Sequence, residues 1–117
     1  MARRDLSGAV DFTVLERMTG GDDAVTEEVL GLFAQQASMW SALLDAETEG
    51  WRDAVHTIRG ASAGIGGAEL ARVCAEVEKG EQASATAGLE RVRTALDAAL
   101  ADVAAYRHEL MLRSLKA

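Results

Sequence analysis

The chain contains no proline, so no helix interior along it meets an obligatory breaker. Aromatic residues make up only 4% of it while hydrophobic residues reach 49%. A core must therefore be assembled from aliphatic and small side chains, and with alanine abundant this favours helices over sheets. A single cysteine, Cys74, excludes an intramolecular disulfide and fits a reducing compartment. Positive charge is scarce: 12 Lys and Arg stand against 19 Asp and Glu, for a formal net charge of -7 and a pI near 4.7. Nucleic-acid binding needs a basic face that displaces counterions, so a nucleic-acid partner is set aside. No basic start followed by a long apolar run marks a signal peptide or a membrane span, and the expected location is the cytoplasm, with no membrane partner. There is also no internal repeat, no low-complexity linker and no alternating strand pattern. At 117 residues the expectation is one domain, 1–117, too short for most catalytic folds that carry a separate cofactor domain.

What is present is helical periodicity. Asp11 can cap a short first helix on which Phe12, Leu15 and Met18 share a face, stopped by Gly20 and Gly21. From about Asp22 to Ala46, Val29, Phe33, Ala37, Trp40 and Leu44 recur at three- and four-residue spacing, with Asp22, Asp23, Glu27 and Glu28 near the positive end. Gly50 precedes a third helix, Trp51 to about Ile65, with Trp51, Val55, Ile58, Ser62 and Ile65 on one stripe. After Gly66 and Gly67, a fourth helix carries Leu70, Val73, Cys74 and Val77 and ends near Gly80. The stretch Ala83–Gly88 reads as a mobile loop. A long last helix from about Ser84 bears Leu89, Val92, Leu96, Ala99, Val103, Tyr106 and Leu110. The expected fold class is all-α: an antiparallel up-down four-helix bundle with an additional short N-terminal helix.

A helical wheel of the third segment isolates one position. Opposite the apolar stripe lie His56, Gly60, Ala63, Gly64 and Gly67, where a surface helix ordinarily carries long polar side chains. Glycine inside a helix costs about 1 kcal/mol relative to alanine, so two of them there call for a compensating role. Helical side chains lean toward the N-terminus, so a side chain at position 60 would reach back over His56, and Gly60 leaves the ring open to an approaching surface. Arg52 and Arg59, four residues before and three after His56, can place guanidinium groups beside an anion on that flank. A neutral imidazole is nucleophilic at one ring nitrogen and can accept a phosphoryl group if a partner supplies the metal and the leaving group.

Other readings of the same residues carry less. A bare stripe also suits close helix packing, as in a dimerisation seam or a helical adaptor that docks a partner with His56 incidental. Gly60-Ala61-Ser62-Ala63-Gly64 spells G-x-S-x-G, but that elbow needs a preceding strand, whereas Ser62 lies on a helical core stripe and suits a hydroxyl bonded to its own helix. Asp53-x-x-His56 is one imperfect half of a bundle metal site, and no metal ligand set is expected. His108, beside Arg107 and Glu109, reads as a solvated or dipole-compensating histidine. Cys74, Trp40 and Trp51 read as core packing.

The run AVHTIRGASAGIGGAELARVCAEVE, Ala54 to Glu78, closely resembles the signature of histidine phosphotransfer domains, approximately A-H-x-L-K-G-S-S-x-x-[LI]-G-A-x-x-L-x-x-x-C-x-x-L-E. GGDDAVTEEVLGLFAQQ, Gly20 to Gln36, resembles that family's second helix. Departures include Ile58 for leucine, Arg59 for lysine, Ala61 for serine and Gly67 for alanine. The resemblance implies that His56 is the phospho-accepting residue, that Arg59 is the basic position beside it, and that Glu78 is the polar residue of the next helix near the ring, with Arg52, Gly60, Ala63 and Gly64 assisting or docking. It implies a monomeric carrier with no ATP site and no cofactor of its own, shuttling phosphoryl groups between aspartates of receiver domains in hybrid histidine kinases and response regulators, with magnesium held by the receiver.

Overall fold

The structure, a computed structural model, describes residues 8–116. Five α-helices follow one another: α1 Phe12–Thr19, α2 Asp23–Ala42, α3 Trp51–Ile65, α4 Ala68–Lys79 and α5 Ala85–Lys116, with a single 3₁₀ turn at Gln82–Ser84 before α5. No strand occurs among the described residues. α3 packs on α4, α4 and α2 pack on α5, and α1 lies against α2 and α3.

Local chemistry sets the ends. Asp11 caps α1 by accepting the Thr13 N–H at 3.1 Å, and Asp22 caps α2 through the Val25 N–H at 3.0 Å, each satisfying a donor that the first turn leaves orphaned. α3 closes on a left-handed glycine, Gly66 at φ 93°. The Gly67 N–H returns to Ser62 O at 2.7 Å and the Gly66 N–H to Ala63 O at 3.3 Å, the paired bonds of a Schellman ending. Gly67 is thus buried in the turn, not on the solvent face where a helix continued past Ile65 would have put it. A Cβ there would sit 3.2 Å from Ser62 O.

Three further expectations shift. α2 stops at Ala42 rather than near Ala46, because Arg93 takes Ser41 O and Leu44 O at 3.0 and 2.8 Å, and the Asp45 side chain accepts the Glu47 N–H at 2.9 Å. Such local and tertiary bonds offer the backbone an alternative to another helical turn, and Leu44 folds into the core from the connection. Met18 is 71% exposed, so α1 buries Phe12 and Leu15 alone. The Ala83–Gly88 stretch is not a loop: Ala85 is buried and begins α5. Gly88 lets α5 approach α4 so closely that a Cβ would lie 3.0 Å from a Val77 methyl.

The core joins Leu30, Phe33 and Ala37 of α2, Val55 and Ile58 of α3, Leu70 and Cys74 of α4, and Val92, Leu96, Ala99, Val103 and Tyr106 of α5. Each large aliphatic side chain buried here contributes about 1.5–3 kcal/mol. Phe12 stacks on Tyr106 with ring centroids 4.1 Å apart, and the Tyr106 hydroxyl donates to Glu16 at 2.7 Å. Those contacts tie α1 to α5. Arg107 grips Glu27 through two bonds of 2.8 Å, joining α2 to α5 and lowering the Glu27 pKa. That contribution is present above the ordinary glutamate range and is lost as pH falls through the lowered value.

Gly66 and Gly60 separate two roles of glycine. At Gly66 a Cβ would lie 2.1 Å from Asp11 O in addition to the positive φ, whereas at Gly60 nothing lies within 4 Å. Gly66→Ala is expected to cost at least about 2 kcal/mol, and Gly60→Ala to stabilise by up to about 1 kcal/mol. Urea unfolding followed by circular dichroism measures both, and equal effects at the two positions would contradict this account.

Candidate functional site

Val55 and Ile58 point into the core, which turns His56 outward in the second turn of α3, its side chain 59% exposed. Across the α3–α4 turn, Val77 faces inward and Glu78 comes to lie against the ring. His56 Nδ1 and Glu78 Oε2 are 2.8 Å apart. Arg59, one turn after the histidine, places Nη2 3.4 Å from the same Nδ1 and Nη1 3.4 Å from Glu78 Oε1.

These distances select a tautomer. An ionised carboxylate only accepts, and a guanidinium only donates. Nδ1 can therefore carry a proton toward Glu78 or a lone pair toward Arg59, not both. The contact of 2.8 Å with Glu78 is a full charge-assisted hydrogen bond, while 3.4 Å to Arg59 is at the margin. Nδ1–H donates to Glu78, which leaves the lone pair of the neutral ring on Nε2. Glu78 Oε1 is buried and forms no hydrogen bond, so Arg59 balances its charge through the ion pair. Beneath the site, burial first and the Glu78 carboxylate second push the Cys74 thiol up to about 11, leaving it an unreactive core side chain.

Gly60 and Ala63 are exposed and Gly64 is half-buried, beside His56 as the wheel places them. Nothing would touch a Cβ at Gly60 or at Gly64. Arg52 is elsewhere than beside Arg59: its Nη1 donates to the Glu78 backbone carbonyl at 2.6 Å, and its guanidinium lies 4.5 Å from the centre of the Trp51 ring. Among the described residues, no group of three or more His, Cys, Asp or Glu side chains is placed to hold a metal ion. No described helix is long and apolar enough to cross a membrane.

Sequence reasoning missed one part of the surface. Next to Gly60 and Gly64 opens an apolar groove of about 370 Å³, walled by Met18 of α1 and Val25, Val29 and Leu32 of α2. Val25 and Leu32 are 46% and 54% exposed. Val29, which the sequence places on the buried stripe of α2, is only half-buried and lines this groove, while Leu30 is the fully buried residue there; with Val25 and Leu32, Val29 forms a second apolar line at helical spacing that a single-core reading absorbs.

Residues 27–105 match the model of the Hpt domain family. The chain belongs to the Hpt family. The solved structure of histidine phosphotransferase ShpA from Caulobacter crescentus is 52% identical, and the alignment covers 92% of this chain and 99% of that one with a TM-score of 0.77. No curated protein matches the chain.

In this Hpt chain the 2.8 Å contact between the Glu78 carboxylate and His56 Nδ1 gives a direct test. In Glu78→Ala the Nε2–H tautomer should gain at the expense of Nδ1–H. Nitrogen-15 chemical shifts of the neutral His56 ring measure the ratio. An unchanged ratio would show that Glu78 does not orient the imidazole.

Proposed function

We propose that this protein is a phosphorelay carrier that accepts a phosphoryl group on His56 Nε2 and returns it to an aspartate. The observation that supports it is the His56–Glu78 contact, which leaves the nucleophilic lone pair on the one ring nitrogen not bonded within the protein. The donor is the aspartyl phosphate of a receiver domain. Nε2 attacks phosphorus, a P–N bond forms, the P–O bond to the receiver breaks, and the aspartate departs as a carboxylate. The ring becomes cationic, and the Nδ1–H bond to Glu78 stabilises that charge. Magnesium on the receiver balances the phosphoryl oxygens, and Arg59 adds positive charge beside the ring. The reverse sequence passes the group to the next receiver.

Docking follows from the same face. Gly60, Ala63 and Gly64 clear the space around the ring, and the groove walled by Met18, Val25 and Leu32 offers the apolar area that a receiver surface buries on approach. Residues 1–117 act in this reading as one domain and as a monomer in the cytoplasm, with α2 to α5 as an antiparallel up-down four-helix bundle and α1 laid against it. The partners are receiver domains of hybrid kinases and of response regulators.

Incubation with a phosphorylated receiver domain should give wild-type protein an acid-labile, base-stable label, as a P–N bond requires. His56→Gln should acquire none while changing stability by no more than about 0.5 kcal/mol, as for an ordinary exposed substitution. Labelling of His56→Gln, or failure of every receiver tested to label the wild type, would leave a docking adaptor as the better reading.

Gly60→Gln should fold at least as stably as wild type, since glutamine is the better helix former, yet should lose receiver docking. Titration calorimetry with a receiver domain measures this, and unaltered affinity would remove the steric role of that glycine.

A further inference from the structure

Arg52 and His56 are one helical turn apart on α3 and both reach the same residue of α4. His56 meets the Glu78 carboxylate at 2.8 Å, and Arg52 donates to the Glu78 carbonyl at 2.6 Å. Glu78 is the penultimate residue of α4, so its carbonyl is among the last four, which have no partner within the helix. A cation donating there satisfies an orphan acceptor and suits the negative end of the helix dipole.

The guanidinium is itself fixed. It lies over Trp51 at 4.5 Å, within cation–π range. Trp51 is 4% exposed, and its indole N–H donates to the Gln82 side-chain oxygen at 3.1 Å. Gln82 in turn donates to Ala46 O at 3.0 Å. A chain of bonds thus runs from the α2–α3 connection through the 3₁₀ turn to the backbone of the residue that holds the imidazole. Held at both its carbonyl and its carboxylate by one face of α3, Glu78 has little freedom to slide along the ring.

We propose that Arg52 is a positioning residue for phosphotransfer, acting through the Glu78 backbone to keep the Glu78 carboxylate on His56 Nδ1, and not a ligand of the phosphoryl oxygens. This rests on His56 being the phosphoryl acceptor, but its first consequence concerns the unphosphorylated protein. Removing Arg52 frees the last turn of α4, lets the carboxylate wander, and lets the neutral ring exchange toward Nε2–H, which ties up the attacking lone pair.

The experiment uses the full chain as wild type, Arg52→Ala and Arg52→Lys. Ring nitrogen-15 shifts give the tautomer ratio, and single-turnover transfer from a phosphorylated receiver gives the maximal rate and the half-saturating receiver concentration separately. In Arg52→Ala the Nδ1–H share should fall and the maximal rate should drop by about two- to tenfold, the effect of one hydrogen bond, with half-saturation unchanged. Arg52→Lys, which keeps one donor at similar reach, should recover most of both. An unchanged tautomer ratio in folded Arg52→Ala overturns the proposal, and so does a weakened half-saturation at unchanged maximal rate, which would mark a docking or phosphate contact. If Arg52→Ala does not fold, the Lys variant decides: recovery to wild-type tautomer and rate supports positioning, and a shifted half-saturation alone overturns it. Absence of transfer from every receiver to wild type, with the tautomer shift still present, would sink the phosphorelay reading while leaving the positioning contact established.

Discussion

Gly66, at φ 93° and with Asp11 O only 2.1 Å from where a Cβ would sit, is the constraint on which both the bundle and its surface depend. Only a residue without a Cβ can close α3 in the left-handed region and admit another segment's backbone at the same point. The Gly66 carbonyl accepts the Asp11 N–H at 2.9 Å, so the turn that ends α3 also seats the start of α1. Because the reversal spans Gly66 and Gly67 alone, α4 returns at once along α3. Glu78, 22 positions along the chain, arrives beside His56. A longer connection would leave that register to be fixed by packing alone.

Close packing on one side of α3 makes austerity on the other affordable. Val55 and Ile58 are fully buried, and Trp51, Ala54 and Ile65 nearly so. Their burial is worth several times the roughly 2 kcal/mol that two interior glycines remove. The helix can therefore present Gly60 and Gly64 without a side chain and still form, because its stability comes from tertiary contact and not from propensity. The exposed apolar side chains of Met18, Val25 and Leu32 stand at the margin of the cleared patch, where α1 and α2 expose the apolar area that α3 has given up.

How far the sequence can be read depends on whether the deciding interaction is local. The stripe Trp51, Val55, Ile58, Ser62, Ile65 and the outward turn of His56 follow from 3.6-residue periodicity, and the caps at Asp11 and Asp22 from residue type at helix starts. Ser62, bonded to Arg59 O at 3.1 Å, is the self-satisfied hydroxyl that its place on the stripe predicts. The end of α2 was not legible, because the carbonyls at Ser41 and Leu44 are claimed by Arg93, some fifty residues away. The start of α5 was obscured by a composition of small residues that reads as a loop until Val77 is known to press on Gly88. Arg52 shares the wheel flank of Arg59 yet bonds the backbone carbonyl of Glu78 where Arg59 faces its carboxylate, since no wheel contains the end of α4. Glu78 itself came from family resemblance, for nothing local to α4 links it to a ring on α3.

A carboxylate beside the proposed phosphoryl acceptor looks adverse at first, since like charges repel strongly where water is partly excluded. The geometry resolves this by side. Glu78 addresses Nδ1, the nitrogen across the ring from Nε2, and Arg59 at 3.4 Å from Oε1 offsets part of its charge. In the proposed cycle the ring is cationic while it carries the group, so the carboxylate stabilises the carrier form through Nδ1–H without touching the phosphoryl oxygens. A cation placed directly on those oxygens would hold the group more firmly and slow its departure. A carrier must release what it accepts. Stabilising the ring from behind and leaving the front bare keeps the two directions of transfer closer in free energy, and the demand falls on Glu78 being held still, which its backbone bond to Arg52 serves.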